Sequence, residues 1–280
     1  MTIQTALVQG TKLLEDDAII APRLTAEVLL THALHRERSY LYAHPEEELT
    51  EVAWIHYGRY LHERMKGKPT QYITGRQEFY GREFRVSPDV LIPRPETEHL
   101  VEAAIARIQP GDIVVDVGTG SGAIAITLVL ETRARVFATD ISAAALGVAE
   151  ENARRLSAHV DFLVGNLANS FRDQSVDLVV SNPPYVPKTD ESGLQREVRD
   201  YEPHVALFAG PSGLEIYERL IAEATRVLRP HGWLLLELGY NLLDAVRAML
   251  QQEWSDITVM HDLAGFPRVI AARLLSRVSP

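Results

Sequence analysis

The sequence predicts an α/β protein in which a doubly wound sheet follows a small helical domain. From Asp112 onward, short apolar runs rich in β-branched residues alternate with longer helical stretches, which is typical of a sheet with helices on both faces. Residues 2–68 lack this alternation and show helical periodicity instead. The runs predicted to be strands are 113–117, 135–139, 160–164, 176–180, 233–238 and 268–272.

Residues 1–70 form the predicted helical domain. Apolar residues recur there at helical spacing, which places them on one face of each helix. Pro22 and Pro45 fall where helices are expected to start or break. Three aromatic side chains are expected in the core of this domain rather than in a stacking site: Trp54, Tyr57 and Tyr60.

Residues 71–92 are predicted to connect the two parts through a β-hairpin. The stretch 79–84 consists of two short strand-like pieces around Gly81, which is the pattern of a tight turn. The segment 94–98, Arg-Pro-Glu-Thr-Glu, then opens a helix, because proline suits a first turn and acidic groups there complement the helix dipole. Residues 93–280 are therefore assigned to the larger domain.

Composition limits the function classes. The 280 residues carry a formal net charge of -10, which disfavours non-specific nucleic-acid binding, and no cysteine, which excludes disulfides and thiolate metal sites. His32 and His35 have no third ligand at recognisable spacing, so no metal site is expected. Apolar runs such as 122–130 are too short to cross a bilayer, and acidic residues arrive early in the N-terminal segment. We expect a cytoplasmic protein without a membrane or direct nucleic-acid partner.

A glycine-rich loop follows the first predicted strand of the larger domain. Glycines there allow backbone conformations and a close ligand approach that a Cβ would block. Asp140 ends the next strand, where a carboxylate can accept hydrogen bonds from ribose hydroxyls. This pattern fits a nicotinamide cofactor as well as S-adenosylmethionine, and Asp140 acting as a simple helix cap is the alternative. The candidate cofactor-binding residues are Gly118, Thr119, Gly120, Ser121, Gly122 and Asp140.

The chemistry is indicated by Ser-Asn-Pro-Pro-Tyr at 181–185, directly after the strand 176–180. The side-chain oxygen of Asn182 and the backbone carbonyl of Pro183 can accept the two hydrogens of one planar NH₂ group. Pro184 stiffens the loop, and Tyr185 offers a flat ring for stacking. An amide nitrogen is a poor nucleophile, and accepting both of its hydrogens returns electron density to it. The loop therefore favours amino or amide methylation over a capped proline-rich turn.

With these motifs, the sequence resembles the PrmC/HemK family of peptide-chain release factor glutamine methyltransferases. The resemblance covers nearly the whole chain. The resemblance rests on segments 67–75 and 91–98, on the glycine-rich loop at 116–122, on 182–185 and on the later Tyr-Glu-Pro at 201–203. The Asn-Pro-Pro-Tyr string alone also occurs in enzymes that methylate nucleic acids. The Ile-Pro-Arg-Pro-Glu-Thr-Glu stretch together with the helical domain is more specific.

The resemblance implies a Rossmann-like class I methyltransferase domain and S-adenosylmethionine as the cofactor, with S-adenosylhomocysteine as the product. It implies that Gly118–Gly122 and Asp140 bind this cofactor. Asn182–Tyr185 would hold the glutamine of the Gly-Gly-Gln loop of class 1 release factors, with Asn182 also beside the cofactor, and the helical domain would contact the release factor. Many relatives carry an acidic and an aromatic residue where Asn166 and Leu167 stand; Asn166 can still accept from the adenine amino group.

Several alternatives remain open at this stage. The same loop would serve for methylating a ribosomal-protein glutamine or an exocyclic amino group of a nucleic acid, although the acidic balance weighs against the latter. A nicotinamide-dependent oxidoreductase and a non-catalytic nucleoside-binding module are the alternatives from other classes. The role of Arg94 is also open, with capping of the cleft and pairing with Glu96 or Glu98 as the alternatives.

Overall fold

The computed structural model describes residues 1–250 and 252–276. Contact density divides the chain into two units. The first unit comprises residues 1–76 and 195–201, and the second comprises residues 77–194 and the described residues from 202 onward. In the described part, no helix has the length and apolar character needed to cross a bilayer.

The first unit is built from helices, as predicted. Thr2 and Thr50 start two of them, each with its hydroxyl accepting a backbone N–H three residues on, at 3.2 Å. Tyr57 and Tyr60 are buried, while Trp54 is half-buried against the same core. The predicted core position of these rings is confirmed. The helices are α1 (Ile3–Asp16), α2 (Pro22–Leu34), α3 (Arg38–Ala43), α4 (Glu51–Met65) and α5 (Thr70–Thr74).

The short segment 195–201 belongs to the helical unit although it lies far along the chain. Arg64 forms an ion pair with Glu197 at 2.5 Å, and the Tyr201 hydroxyl donates to the Lys66 carbonyl at 3.1 Å. The Arg64 side chain is almost fully buried, whereas Glu197 is partly exposed, so solvent reaches this ion pair from the Glu197 side only. No local pattern predicts this grouping, because it depends on contacts between residues more than 100 positions apart in the chain.

The predicted hairpin is present. β1 (Arg76–Phe79) and β2 (Arg82–Arg85) pair around Tyr80 and Gly81, whose φ angles of 50° and 69° match the two-residue turn that suits twisted strands. Phe79 and Phe84 are buried and meet edge to face, with ring centroids 6.0 Å apart. The helical turn α5 comes before the hairpin, inside the stretch 71–92 that was predicted as the connector.

The second unit contains a seven-stranded sheet in the order β10-β11-β9-β6-β3-β4-β5. The pairs among β5, β4, β3, β6 and β9 are parallel, whereas β11 is antiparallel to both β9 and β10. All six predicted strands are present, but β10 was missed. The strands are β3 (Ile113–Val117), β4 (Arg135–Asp140), β5 (Asp161–Val164), β6 (Val176–Ser181), β9 (Leu228–Glu237), β10 (Trp254–His261) and β11 (Pro267–Leu274).

Helices cover both faces of this sheet, which confirms the doubly wound α/β prediction. Neighbouring residues of β3 contribute to two different cores, Val114 on one face and Val115 on the other. A short parallel ribbon of β7 (Val186–Pro187) and β8 (Phe208–Gly210) stands apart from the sheet. The helices of the second unit are α6 (Glu98–Ile105), α7 (Ala123–Glu131), α8 (Ala143–Leu156), α10 (His204–Leu207), α11 (Glu215–Val227) and α12 (Leu243–Met249). Helix α9 (Arg196–Tyr201) lies in the segment 195–201 of the first unit.

Candidate active site

A pocket opens beyond the carboxyl ends of the parallel strands, where open α/β sheets bind their ligands. Its cavity volume is about 190 Å³. The loops after β3, β4, β5 and β6 all contribute to its wall. The predicted site residues that line it are Gly118, Gly120, Asp140, Asn166, Leu167, Asn182 and Pro184.

Two glycines form one wall of the pocket. Gly118 and Gly120 have φ angles of 74° and 55°, a region that residues with a Cβ rarely adopt. A Cβ built on either glycine would meet no atom within 4 Å, so both face open space. The backbone N–H of Gly118 donates to the Thr139 carbonyl of β4 at 2.8 Å, which attaches the glycine-rich loop to the end of that strand. This bare backbone beside an open pocket fits the approach of a nucleoside cofactor.

The other residues of the glycine-rich loop have different surroundings. The Thr119 hydroxyl donates to the buried Asp116 carboxylate at 2.6 Å, and Thr119 and Ser121 line a smaller recess. Gly122 lines neither cavity. A Cβ there would lie 2.8 Å from the Ile126 side chain, so glycine at 122 serves the packing of α7. Whether Thr119, Ser121 and Gly122 contact a cofactor stays a prediction.

Asp140 ties the glycine-rich loop to the start of α8. Its Oδ2 accepts from the Gly120 backbone N–H and its Oδ1 from the Ser142 backbone N–H, both at 2.9 Å. The N-cap of α8 is Ser142, whose hydroxyl accepts from Ala145 at 3.1 Å. Asp140 therefore does not cap this helix. Each carboxylate oxygen has further acceptor capacity, and Asp140 lines the pocket, so ribose hydroxyls remain suitable donors to it.

The loop after β5 places Asn166 and Leu167 in the pocket wall. The Asn166 side-chain oxygen already accepts from the Arg219 guanidinium at 2.9 Å, a contact that the sequence did not predict. Leu167 has a φ of 57°, and its carbonyl accepts from the Thr139 hydroxyl at 3.0 Å. An adenine amino group would have to share the Asn166 oxygen with Arg219. The adenine contact of Asn166 stays a prediction.

The Asn-Pro-Pro-Tyr loop contributes Asn182 and Pro184 to the pocket wall. The side-chain NH₂ of Asn182 donates to the Thr97 hydroxyl at 3.2 Å, which turns the other end of the amide, Oδ1, away from Thr97. Pro183 is buried, and it and Tyr185 are not among the residues lining the described pocket. Tyr185 packs against the apolar core on the face of the sheet that includes Val115, and burial raises its pKa to about 12.

Arg94 pairs with Glu202, not with Glu96 or Glu98, the two partners considered from the sequence. Its guanidinium donates to Glu202 at 2.5 Å, and the same carboxylate accepts from the Ile92 backbone N–H at 3.3 Å. Glu98 instead accepts from the Tyr80 backbone N–H at 2.8 Å. Since the Glu202 side chain is nearly fully buried, this contact fixes the segment before α6 against the segment before α10.

One buried acid escaped the sequence analysis. Glu237 ends β9 with 4% of its surface exposed, and burial raises its pKa to about 7. A signal was present, because Glu237 is the only charged residue in the predicted strand 233–238 and stands at a strand's carboxyl end, as Asp140 does. That position faces the ligand edge of the sheet.

Comparisons with known proteins identify the family. A profile described as the PrmC N-terminal domain matches residues 5–75, and one described as the methyltransferase small domain matches residues 96–197. A release factor glutamine methyltransferase of Koribacter versatilis is 46% identical over 278 residues, covering 98% of this chain and 99% of the relative. One of Nitratidesulfovibrio vulgaris is 45% identical over 282 residues, covering 97% and 95%. The chain belongs to the release factor glutamine methyltransferase family.

Membership of the release factor glutamine methyltransferase family confirms the resemblance read from the sequence and makes the chain a methyltransferase. A solved methyltransferase of Pyrococcus furiosus supports the fold, with a TM-score of 0.54 at 18% identity, covering 71% of this chain and 91% of that one. The pocket lies at the carboxyl ends of the parallel strands, where open α/β sheets bind ligands. Its glycine-rich, acidic and Asn-Pro-Pro-Tyr segments meet at a single edge of the sheet.

Proposed function

We propose that the chain transfers the methyl group of S-adenosylmethionine to the side-chain amide nitrogen of the glutamine in the Gly-Gly-Gln motif of class 1 peptide chain release factors. The observation that carries this proposal is the full-length identity of 46% to a release factor glutamine methyltransferase. The pocket supports it, because a nucleoside-compatible wall and Asn182 face the same space.

The residues present fit the cofactor. Gly118 and Gly120 leave the backbone bare beside the pocket, and Asp140 presents a carboxylate to it. Gly118–Gly122 and Asp140 would hold the nucleoside part, with Asn166 and Leu167 near the base and Asn182 near the reacting end. When bound, S-adenosylmethionine supplies an electrophilic methyl group on a positively charged sulfur. S-adenosylhomocysteine remains as the product.

The chain's own contribution to the chemistry is orientation of the acceptor nitrogen. Asn182 Oδ1 and the Pro183 carbonyl accept the two hydrogens of the glutamine NH₂, which returns electron density to a nitrogen weakened by amide resonance. Pro183 and Pro184 restrict the backbone, so these dipoles need little reorganisation. Tyr185 supports the loop from its apolar side. As the methyl–nitrogen bond forms, the methyl–sulfur bond breaks, and the nitrogen then releases one proton to water. That proton is strongly acidic once the nitrogen is methylated, so no strong base is needed, and orientation and preorganised dipoles carry the rate enhancement.

The partner is a class 1 release factor, and the helical unit supplies surface for contacting its body. This substrate places the reaction in the cytoplasm and requires no direct contact with nucleic acid or membrane. The net charge of -10 is consistent with a protein partner rather than a polyphosphate backbone. Methylation of a ribosomal-protein glutamine uses the same chemistry and is the alternative that a substrate assay must separate.

The deciding experiment incubates the enzyme with S-adenosylmethionine and either a purified class 1 release factor or a ribosomal-protein fraction. We expect mass spectrometry to locate one added methyl group on the Gly-Gly-Gln glutamine. A release factor with asparagine at that position is the matched control and should remain unmodified. Methylation of the ribosomal fraction alone would overturn the proposed substrate, and tighter calorimetric binding of NAD than of S-adenosylhomocysteine would overturn the cofactor.

A further inference from the structure

Two neighbouring turns carry exposed apolar side chains at the edge of the sheet where the parallel strands end. One turn follows β9, and the other, residues 262–266, joins β10 to β11. The turns are neighbours because the end of β9 pairs with the start of β11, where the Leu238 backbone N–H donates to the Arg268 carbonyl at 2.8 Å. Three side chains on these turns form what we call the apolar platform: Tyr240, Leu263 and Phe266.

The apolar platform faces solvent although its side chains are large. Leu263 is fully exposed, and Tyr240 and Phe266 are 71% and 44% exposed. The two rings meet edge to face, with their centroids 5.9 Å apart. Single exposed apolar side chains are common on protein surfaces, but a group of neighbouring ones typically marks an interaction site.

Polar contacts fix the turn at 262–266. Asp262 Oδ1 accepts from the backbone N–H groups of Ala264 and Phe266, both at 2.9 Å, and Oδ2 accepts from the Arg268 guanidinium at 2.8 Å. The Asp262 backbone N–H donates to the Phe266 carbonyl at 2.9 Å, which closes the turn. The polar groups are thus engaged within the turn, and its apolar side chains are held in one arrangement. A preordered surface loses less entropy when a partner binds.

The apolar platform lies beside the Asn-Pro-Pro-Tyr loop. Gly239 is in close contact with the Tyr185 ring at the end of that loop, and Tyr240 is the next residue along the chain. The Gly239 backbone N–H donates to the buried Tyr217 hydroxyl at 3.2 Å, which fixes the start of the turn that carries Tyr240. A polypeptide that places a glutamine in the Asn-Pro-Pro-Tyr loop therefore has its flanking residues at this same edge of the sheet.

The chemistry of the apolar platform fits a protein chain. Its three side chains carry no charge, and the adjacent Asp262 and Arg268 neutralise each other in an ion pair at 2.8 Å. The platform thus offers no cation to a phosphate backbone. Aromatic side chains are enriched at protein interfaces, where they bury a large area. Since the chain belongs to a family named for methylating release factors, the occupant that fits this place is the acceptor protein itself.

We propose that Tyr240, Leu263 and Phe266 dock the acceptor protein beside the active site by packing against the polypeptide that flanks the methylated glutamine. The identity of the acceptor in this inference rests on the proposed function. None of the three side chains lines the described pocket. The apolar platform therefore contributes to affinity for the acceptor protein and not to methyl transfer itself.

The test measures binding and turnover separately in the full-length enzyme. Fluorescence anisotropy of a labelled class 1 release factor, with S-adenosylhomocysteine present, gives Kd, and steady-state methylation gives kcat and KM. We expect Tyr240→Ala and Leu263→Ser each to raise Kd and KM for the release factor roughly 5- to 30-fold, the range for losing an interface anchor. The kcat and the affinity for S-adenosylhomocysteine should change less than about threefold. Tyr240→Phe keeps the ring and should retain most of the affinity.

The matched control is Leu275→Ser. Leu275 is 42% exposed and follows β11, at the opposite end of that strand from Leu263. This variant should bind and methylate the release factor as the wild type does. Because the Leu263 side chain is fully exposed, Leu263→Ser is expected to fold and reports even if Tyr240→Ala does not. An equal loss of affinity in Leu275→Ser and Leu263→Ser would overturn the inference.

Two further results would overturn the docking role. One is a wild-type Kd for the release factor in folded Tyr240→Ala and Leu263→Ser variants. The other is a wild-type dimer, seen by sedimentation, that these variants convert to a monomer without changing KM, because the apolar platform would then join two copies of the chain. Wild-type enzyme that methylates a ribosomal protein but no release factor would overturn the proposed substrate instead, and Kd of the variants would then be measured for that protein.

Discussion

Gly239 lies against the ring of Tyr185. A Cβ at Gly239 would be 2.6 Å from Cδ2 and 2.9 Å from Cγ of Tyr185, closer than such atoms normally approach. The backbone N–H of Gly239 also donates to the buried Tyr217 hydroxyl at 3.2 Å, so the main chain is fixed at this point. The Tyr185 ring, at the end of the Asn-Pro-Pro-Tyr loop, can therefore occupy this position only because residue 239 has no side chain.

We expect Gly239→Ala to lower kcat roughly 10- to 100-fold, because displacing Tyr185 by a fraction of an ångström moves the acceptor dipoles beside it. Cofactor affinity should change less than about threefold, since Gly239 does not line the described pocket. Steady-state kinetics with calorimetry of S-adenosylhomocysteine binding measures both quantities. Unchanged kcat would show that the ring position is irrelevant to turnover.

The matched control is Gly147→Ala in α8. A Cβ at Gly147 meets nothing within 4 Å, and the site is exposed. Alanine there should stabilise the protein by about 0.5–1 kcal/mol without altering kcat, because glycine is a poorer helix former. A parallel loss of activity in both variants would point to a general effect of the methyl group rather than to Tyr185.

The sequence predicted the parts of the site that local patterns encode. Gly118, Asp140 and Asn182 each follow or end an apolar strand, and the rule that such ends meet at one edge of the sheet brought them together correctly. Strand β10 was missed because its alternation of buried and exposed residues is irregular and interrupted by Asp256. Strand β9 extends five residues before the predicted start at Trp233, through the polar stretch that contains Arg229 and His231.

Other features could not be predicted because they depend on long-range contacts. Thr97 meets Asn182 across 85 residues, and Arg94 meets Glu202 across 108. Neither pair has a local signature, since each side chain alone resembles an ordinary helix-start or loop residue. The engagement of the Asn166 oxygen by Arg219 is another such contact.

Asn182→Ala removes the side-chain acceptor from the pocket wall. We expect turnover to fall roughly 10²- to 10³-fold, the scale for losing one preorganised polar group, while cofactor affinity changes much less. Single-turnover methylation of the release factor measures the chemical step directly. Asn182→Asp keeps the oxygen but loses the NH₂ that donates to Thr97, so it should be intermediate. Near-normal turnover in Asn182→Ala would make the loop merely structural.

Asp140→Ala removes a carboxylate that holds the glycine-rich loop and faces the pocket. Affinity for S-adenosylhomocysteine should fall roughly 10- to 100-fold, which corresponds to hydrogen bonds with a charged acceptor. Calorimetry checks this expectation. Asp161→Ala is the matched control, because Asp161 lies at the start of β5 and its visible partner is the exposed Arg135 at 3.0 Å. Equal affinities of the Asp140 variant and the wild type would place the ribose elsewhere.

Glu27 anchors the helical unit. Its fully buried carboxylate accepts from Arg23, Arg38 and the Tyr42 hydroxyl, each at 2.6 Å. Burial raises the pKa of Glu27, but the hydrogen bonds from Tyr42, Arg38 and Arg23 lower it more, so the net direction is downward. The ionised form therefore stabilises the fold above the ordinary pKa of 4.5, and this contribution disappears as the pH falls through the lower folded value.

We expect Glu27→Gln to lower the stability of α2 by about 1–3 kcal/mol at neutral pH, with the difference from wild type shrinking below about pH 4.5. Hydrogen exchange of the α2 amides, corrected for intrinsic rates, measures the opening free energy at each pH. The control is Glu63→Gln, which loses a partly exposed pair with Lys68 and should change stability by less than about 1 kcal/mol. A difference that stays constant with pH would contradict the assignment to ionised Glu27.

Asp116 gives the opposite pH dependence in the second unit. It is fully buried, and burial raises its pKa from 3.8 to about 7, although hydrogen bonds from Thr119 and Ala125 oppose the rise. Between these two values the folded state keeps a proton that the unfolded chain releases. The free energy of unfolding should therefore fall as the pH rises through this window, by up to about 1.4 kcal/mol per pH unit, and level off above it. Glu237 contributes in the same sense, because its pKa is also raised to about 7.

Asp116→Asn does not titrate, so it should remove one of these two contributions and reduce the slope between about pH 5 and pH 7. Denaturant unfolding at several pH values, followed by the fluorescence of Trp233 and Trp254 in a Trp54→Phe background, reports on the second unit alone. Adding Glu237→Gln should flatten the remaining slope, which separates the two acids. The slope should persist in Asp161→Asn, since that carboxylate is exposed. Equal slopes in the wild type and in Asp116→Asn would mean that Asp116 is ionised in the folded protein throughout this range. Its buried Oδ1, which has no hydrogen-bond partner among the described residues, would then carry charge in the core.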